Sequence, residues 1–371
     1  MDDSNDICMA PVQEDTVSSP RGVADPRPPH DDSSAFVEWL LRRYWISDWD
    51  NEFIRRLKLV LKRDNEGNLL PEGKLVRVEQ KGIAVTGRSQ DGKTTLVCQV
   101  LRRLFNDSFT EEKCGEKIAY CRLRGEATVK SVSQDLCRKT GYNAFSDRMT
   151  RAETNELAVH RLRQAGIKIV IIDEVHNLLG NKRDRPDLYL KSLAQEEGFC
   201  VILIGTLKAR DFIYDDPEHE ELAERYYDFP LIPFDRPKAI ELINGALQQF
   251  SRDSEVKLGA SIRNDPYFAD RIYDGVQGSF GRCMVMIASA IAFAHEEGGN
   301  TVEVQDFREF YQLKYARLSP ENPFARTDWS ARVLATMSTA SDTSTAFFDD
   351  DAAPASPPKP RRGRKKKGAS T

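Results

Sequence analysis

The sequence has no apolar run approaching the roughly 20 residues that a membrane-spanning helix needs. Its first stretch, MDDSNDICMAPVQEDTVSSP, is acidic where a secretory signal would be basic and then apolar. Both absences argue against a membrane or exported protein and predict a cytoplasmic one. Paired cysteines are missing too. Seven of them (Cys8, Cys98, Cys114, Cys121, Cys137, Cys200 and Cys283) make an odd number without C-x-x-C spacing. That excludes a disulfide framework and a zinc site, and reads as reduced thiols, several of them plain core residues. No internal repeat is visible. What the chain does have is length, 371 residues with 40% hydrophobic side chains, enough for a sizeable core and about two to three structural units.

A net charge of −4 conceals an uneven distribution. Asp2, Asp3, Asp6, Glu14, Asp15, Asp25, Asp31 and Asp32 crowd the start, while KPRRGRKKK lies near the end. Residues 1–34, rich in Asp, Pro and Ser, and 326–371, a Ser/Thr/Ala/Pro mixture, have little to bury and are predicted to be disordered tails. Between them, SAFVEWLLRRYWISDWDNEFIRRLKLVLKR carries apolar residues at helical spacing, interrupted by ISDWD, which can cap a second helix. Strand and helix signals then alternate. GIAVTG, KIAYCRL, IKIVIIDEV and FCVILIGT read as strands, and KTTLVCQVLRRLF, TVKSVSQDLCRKTG and NELAVHRLRQAG as helices, the last two closed by Gly141 and Gly166. β-branched runs with apolar residues on both faces suit parallel strands buried between helix layers. The fold expected is therefore α/β, a doubly wound parallel sheet over 35–235 with a helical lead-in. From about 236 the strand signals stop, and 236–325 reads as a small all-helical lid.

AVTGRSQDGKTTL matches the phosphate-loop pattern G-x-x-x-x-G-K-[ST] at Gly87, Gly92, Lys93 and Thr94, after a strand and at the start of a helix, where the mechanism needs it. The glycines clear side chains from the path of backbone N–H groups that surround a β-phosphate, aided by the positive end of the helix dipole. Gly87, Arg88, Ser89, Gln90, Asp91, Gly92, Lys93, Thr94 and Thr95 thus form the expected nucleotide loop. Lys93 would reach the β/γ-phosphates, and the Thr94 hydroxyl would ligate Mg²⁺. IKIVIIDEV ends in Asp173 and Glu174 at the carboxyl edge of a strand, where open α/β sheets bind ligands. Asp173 would hold the Mg²⁺ shell and Glu174 would orient and deprotonate the attacking water, a division of labour that favours hydrolysis of ATP. His176 faces either the nucleotide or a partner, or is an ordinary satisfied helical histidine. Thr206, at the tip of CVILIGT, could sense the γ-phosphate; Gly-Thr is also ordinary turn chemistry.

With the phosphate loop, IIDEVHNLL, VILIGT and LAERYYDFPLIPF in that order, the sequence resembles the AAA+ P-loop NTPases of transposons, in particular the TniB branch that includes TnsC-like regulators. The resemblance covers roughly residues 40 to 315. It implies that Arg225 in LAERYYDF is an arginine finger that reaches the nucleotide of a neighbouring subunit; composition alone would pair Arg225 with Glu221 or Glu224 on a helix face. Many AAA+ proteins carry Gly-x-x-Arg at the start of a lid helix. In GSFGRCMVMI, Gly281 stands at the place of that arginine and Arg282 one residue late, which turns the side chain by about 100°. The resemblance further implies an ATP- and Mg²⁺-dependent homo-oligomer, ring or filament, that assembles on double-stranded DNA and recruits or activates a partner transposase at the target site. A STAND-type signalling switch would use the same loop and acidic pair, as would a helicase loader; the sensor repeats usual in the first are absent.

In PPKPRRGRKKKGAST, Lys359, Arg361, Arg362, Arg364, Lys365, Lys366 and Lys367 offer charge to nucleic-acid phosphates. The core Arg362-Gly363-Arg364-Lys365 resembles an AT-hook, which lies along a narrow A·T-rich minor groove; a sequence-indifferent DNA tail or a solubilising tail would use the same charges. STAFFDDDAA, just before it, reads as a docking segment or a spacer.

Overall fold

The computed structural model describes residue 28 and residues 32–326, apart from 77, 78, 81, 147, 181–183, 197 and 317–320, together with 329. Met1–Arg326 form one compact unit and Thr327–Thr371 a second. The second lies outside the described residues but for 329, so the hook-like residues Arg362, Gly363, Arg364 and Lys365 are outside them, as is the acidic stretch 1–27.

Helix α1 (Ser33–Leu41) starts on Asp32, whose side chain accepts from the Ala35 amide. Helix α2 (Asp48–Val60) starts on Ser47 in a reciprocal box with Asp50, as the ISDWD stretch predicts. A hairpin follows, β1 (Leu61–Arg63) with β2 (Leu69–Gly73), then a two-residue ladder of β3 (Leu75–Val76) with β4 (Glu79–Gln80). The α/β layer comprises β5 (Gly82–Thr86), α3 (Lys93–Phe105), β6 (Ile118–Arg122), α4 (Val129–Lys139), α5 (Arg151–Gln164), β7 (Ile169–Asp173), α6 (Pro186–Gln195) and β8 (Cys200–Gly205). Two one-turn helices, α7 (Leu207–Arg210) and α8 (Glu220–Ala223), lead to β9 (Tyr226–Pro230). Beyond it lie α9 (Arg236–Ser254), β10 (Lys257–Leu258), α10 (Ala260–Arg263), α11 (Phe268–Gly275), α12 (Phe280–Glu296), β11 (Thr301–Val302) and α13 (Val304–Lys314).

The five long strands form one parallel sheet in the order β6-β7-β8-β5-β9. Period-2 alternation splits their side chains between two cores. Ala84, Cys121, Val170, Ile172, Val201 and Leu203 pack under α4, α5 and α6. Ile83, Val85, Ile118, Ile171, Ile202 and Ile204 pack under α2 and α3 with Phe53, Leu57 and Leu101. Helices on both faces explain why the strands read as unbroken apolar runs, and the doubly wound architecture is the one the sequence predicts. Strand β9 was not apparent as a strand: YYDFP mixes polar and aromatic residues because it is the sheet edge, with Tyr227 and Asp228 half-buried.

The third core is helical. Ile243, Leu247, Ile272, Met286, Ile287 and Phe307 knit α9, α11, α12 and α13 together. Two findings modify the expectation for this region. It is not purely helical: β10 and β11 pair in parallel, Lys257 opposite Thr301 and Leu258 opposite Val302, too short a ladder to leave a pattern in sequence. And α1, expected to lead into the sheet, buries Phe36 and Leu40 in this helical core instead, with the Phe36 ring 4.1 Å from that of His295. The chain therefore touches the helical layer first, crosses over, and enters the α/β layer with α2.

No single helix among the described residues is long and apolar enough to cross a membrane; the one bent pair that passes on composition, α11 with α12, is made of core helices whose apolar faces lie against α9 and α13. The six cysteines among the described residues are unbonded. Burial pushes Cys98 and Cys200 up to about 12, so they behave as inert core thiols.

Candidate nucleotide site

The edge formed by the carboxyl ends of β5, β7 and β8 opens into a cleft of about 610 Å³ that continues across to α12 and to the crossing segment between α1 and α2. Strand β5 ends at Thr86, and the chain turns through Gly87–Asp91 into α3, whose N-cap Gly92 has φ +90°, a left-handed conformation that glycine adopts without steric cost. Gly87 is tightly placed: a Cβ there would lie 3.2 Å from the Leu231 Cβ and 3.3 Å from its carbonyl oxygen. Lys93, almost fully buried, donates from Nζ to the carbonyls of Gly87 (2.9 Å) and Arg88 (2.6 Å). The ammonium is thus bent back over the loop it belongs to. Ser89, Thr94 and Thr95 line the same cleft.

Thr94 and Asp173, 79 residues apart, meet: Thr94 Oγ1 donates to Asp173 Oδ2 at 2.8 Å. Tyr120 donates its hydroxyl to the same oxygen at 2.7 Å, and the Glu174 amide donates to Oδ1 at 2.8 Å. Burial, then the negative charge of Asp173 and the bond to it, hold the Tyr120 phenol well above its ordinary range, so it stays a donor. Glu174 occupies the left-handed region (φ +57°), a sparsely populated conformation for a non-glycine residue. Its carboxylate lies beside Arg122 Nη2 (3.8 Å) and His176 Nδ1 (3.4 Å). His176 sits in a single 3₁₀ turn, Val175–Asn177, and faces this acid. Thr206 caps β8 beside the loop with its Oγ1 buried and unpartnered.

These residues fit a nucleotide with a divalent metal. A buried lysine, a glycine-gated loop at a helix N-terminus and an unpartnered buried hydroxyl face one cleft. Beside them stand two hard oxygen ligands, the hydroxyl of Thr94 and the carboxylate of Asp173. No group of three or more His, Cys, Asp or Glu side chains able to hold a metal exists among the described residues. A metal at Thr94 and Asp173 must complete its shell from water and phosphate, the habit of Mg²⁺.

Arg225 is elsewhere. Its carbonyl accepts from the Gly82 amide at 2.8 Å, at the amino-terminal end of β9, whose Tyr226 is level with Gly82 while Pro230 is level with Thr86. Five residues of strand separate it from the phosphate loop, about 16 Å at ~3.3 Å per residue. Glu221, one of the two acids a helix-face pairing would offer it, is bonded to Lys191. Gly281 and Arg282 both border the cleft.

Three features of the site were not read from sequence. Tyr120 and Arg122 lie on β6 at registers level with Ile171 and Asp173; only the strand order, which the sequence does not print, makes them neighbours of the acids. On the opposite side, Tyr44 and Trp45 from the crossing segment and Trp49 of α2 join Phe280 and Met284 of α12 in an apolar wall. That segment is anchored at both ends. Arg43 pairs with Asp253 on α9, and Asp50 accepts from Arg103 on α3, the Tyr44 hydroxyl (2.9 Å) and the Ser47 amide (2.9 Å). The signal was the aromatic density of RRYWISDWD, which periodicity alone treats as a break between helices.

Residues 68–236 match the family model described as bacterial TniB protein. Over that segment the chain is similar to TniB. The TniB match runs from the start of β2 through the whole parallel sheet and the loop to α9, leaving α1, the crossing segment, α2, β1 and nearly all of the helical layer outside it. Among solved structures, the ORC1 protein of Aeropyrum pernix in complex with DNA is similar at 18% identity, over 82% of this chain and 76% of that one, with a TM-score of 0.53. The ORC2 protein of Aeropyrum pernix, in ADPNP-ADP complexes, is similar at 14% identity over 74% and 71%, with a TM-score of 0.51. At such identities the likeness establishes the fold alone, that of the AAA+ P-loop ATPases. A search of curated proteins finds no match. By fold the chain is an AAA+ ATPase, and the residues of its cleft suit a nucleotide with a divalent metal.

Proposed function

We propose that this chain is an ATP- and Mg²⁺-dependent regulator of transposition, which assembles as a homo-oligomer on double-stranded DNA in its ATP state and recruits or activates a partner transposase at the target site. The observation that carries the reading is the TniB match over the segment that contains Gly87, Lys93, Asp173, Glu174 and Arg225 together. The similar ORC1 protein is in complex with DNA, which supports DNA as the surface of assembly.

In the proposed reaction the loop from Gly87 to Thr95 wraps the phosphates, and Lys93 exchanges its two carbonyl partners for the β/γ-phosphate oxygens. Thr94 and Asp173 would hold the metal, with Tyr120 fixing the Asp173 carboxylate by its hydrogen bond. Magnesium, when bound, supplies the positive charge that offsets phosphate charge during transfer. Glu174 takes a proton from the attacking water at a carboxylate oxygen and directs the water in line. Thr206 donates its unpartnered hydroxyl to the γ-phosphate. Arg225, out of reach of the nucleotide in its own chain, serves the site of a neighbouring copy as a cationic group placed on developing charge. The tail residues Arg362, Gly363, Arg364 and Lys365 add contacts to DNA phosphates, with the Arg-Gly-Arg core in an A·T-rich minor groove.

The test is electron microscopy of the full chain with linear double-stranded DNA and a slowly hydrolysed ATP analogue. Ordered rings or filaments that require both nucleotide and DNA are expected, and deletion of 359–371 should make their formation less salt-sensitive, by about 0.9 of log–log slope per lost phosphate contact. Particles that remain monomeric with both ligands present would overturn the assembly on DNA.

A further inference from the structure

The helix α12 that closes the cleft does not approach the nucleotide loop through a long side chain. It comes in backbone to backbone. At Gly281, a Cβ would lie 2.2 Å from the Gln90 carbonyl oxygen, 2.9 Å from the Asp91 carbonyl carbon and 2.9 Å from the Gly92 nitrogen. All three are main-chain atoms of the phosphate loop, which no rotamer change can move aside, so only glycine fits the first turn of α12 here. The place that the wider AAA+ pattern gives to an arginine is filled by the loop itself.

Two hydrogen bonds flank this contact, and both end on one residue. Ser279, buried, donates its hydroxyl to the Gln90 carbonyl at 3.2 Å. Arg282, one residue past Gly281, donates Nε to the Gln90 side-chain oxygen at 3.1 Å. Gln90 has φ +66°; a non-glycine side chain in the left-handed region is retained where surrounding contacts over-determine it. That backbone turn presents the Gln90 carbonyl and side chain to α12, while the glycines and Lys93 on either side stay turned to the cleft. The displacement of the arginine by one position thus gives Arg282 a different partner rather than none.

We infer that Gln90 is a positioning residue, a clasp that fixes the phosphate loop to the helical layer, so that loop geometry and lid position change together. Gly281 is required by the same contact, and Arg282 and Ser279 act on the nucleotide only through Gln90. This rests on the reading of the loop as the ATP site for its effect on turnover, but the clasp itself is present without ligand and can be tested without one.

The experiment is hydrogen–deuterium exchange on the nucleotide-free full chain, followed by ATP titrations on the same variants. Gln90→Ala and Arg282→Ala should each raise exchange in both partners, loop 88–92 and the start of α12, and the double variant should be no worse than either single one. Gln90→Glu keeps an acceptor for Arg282 and should exchange as the parent does. Gly281→Ala, which forces the two backbones apart, should raise exchange most. With ATP, Gln90→Ala and Arg282→Ala should raise KM roughly three- to tenfold, the value of one modest hydrogen bond, with kcat within about twofold. Unchanged exchange in Gln90→Ala and Gly281→Ala would overturn the clasp whatever the ATP data show. Strictly additive effects of Gln90→Ala and Arg282→Ala would overturn it equally, whereas a parent that fails to bind ATP would remove the nucleotide reading and leave the exchange result standing.

Discussion

The two walls of the cleft differ in origin and in chemistry. The phosphate wall comes from Gly87–Thr95 with Asp173 and Thr206, and is built of backbone amides, one buried ammonium, hydroxyls and carboxylates in hydrogen-bonded contact. The opposite wall comes from the crossing segment around Tyr44 and Trp45 and from Phe280 and Met284, and is apolar and aromatic. The first sits on a sheet packed on both faces by a core. The second hangs between layers, held by Arg43 on one side and by Asp50 on the other. Such an arrangement puts groups suited to phosphate on one side of the cleft and groups suited to a flat, weakly polar ring on the other.

That separation predicts unequal losses. Lys93→Ala should weaken ATP and inorganic triphosphate alike, on the order of a hundredfold, because a charged hydrogen bond is lost to both. Trp45→Ala should weaken ATP about tenfold, the scale of one base-stacking contact, and leave triphosphate unchanged. Isothermal titration with both ligands decides it; equal losses of the two ligands in Trp45→Ala would show that the aromatic wall shapes the phosphate loop and does not contact the base.

Legibility followed the same line. Gly87, Gly92, Lys93 and Thr94 lie within eight residues of one another, and Asp173-Glu174 end an apolar run, so local pattern sufficed to single them out as candidates, though not to order the strands around them. The TniB match covers that stretch. Tyr120, Arg122, Trp45 and Gln90 act through neighbours that lie close in space and far apart in sequence: Tyr120 is 53 residues from Asp173 and Gln90 is 192 from Arg282. Their roles depend on strand register or on a lid angle that periodicity does not encode. Helix α1 is the sharpest case. Its spacing announces an amphipathic helix correctly, but Phe36 and Leu40 would satisfy a sheet face as well as a helical one, so its partner could not be read.

A smaller effect concerns pH. Cys98 and Cys200 belong to the α/β cores and are pushed up by burial to about 12, from an ordinary value near 9. A thiol whose folded pKa is raised stabilises the fold fully below pH 9, and this contribution fades as pH rises from about 9 toward about 12, where the unfolded chain loses protons the folded one still holds. Denaturant midpoints should therefore fall across this window, and replacing both residues with Ala should shrink the fall. An undiminished fall in the double variant would assign the alkaline loss to other groups.

In the proposed reaction Glu174 would act on water in its own site, while Arg225, at the amino-terminal end of β9 and so at the opposite end of the strands from its own phosphate loop, would serve a neighbouring copy. ATP hydrolysis by an equimolar mixture of Glu174→Gln and Arg225→Ala, measured beside each variant alone under conditions where both assemble, tests it most directly. Each variant alone should be nearly inactive while still binding ATP, and the mixture should recover measurable turnover from interfaces that pair an intact Glu174 with an intact Arg225. A mixture no more active than its components, or a Glu174→Gln protein that hydrolyses ATP at the parent rate, would contradict the account.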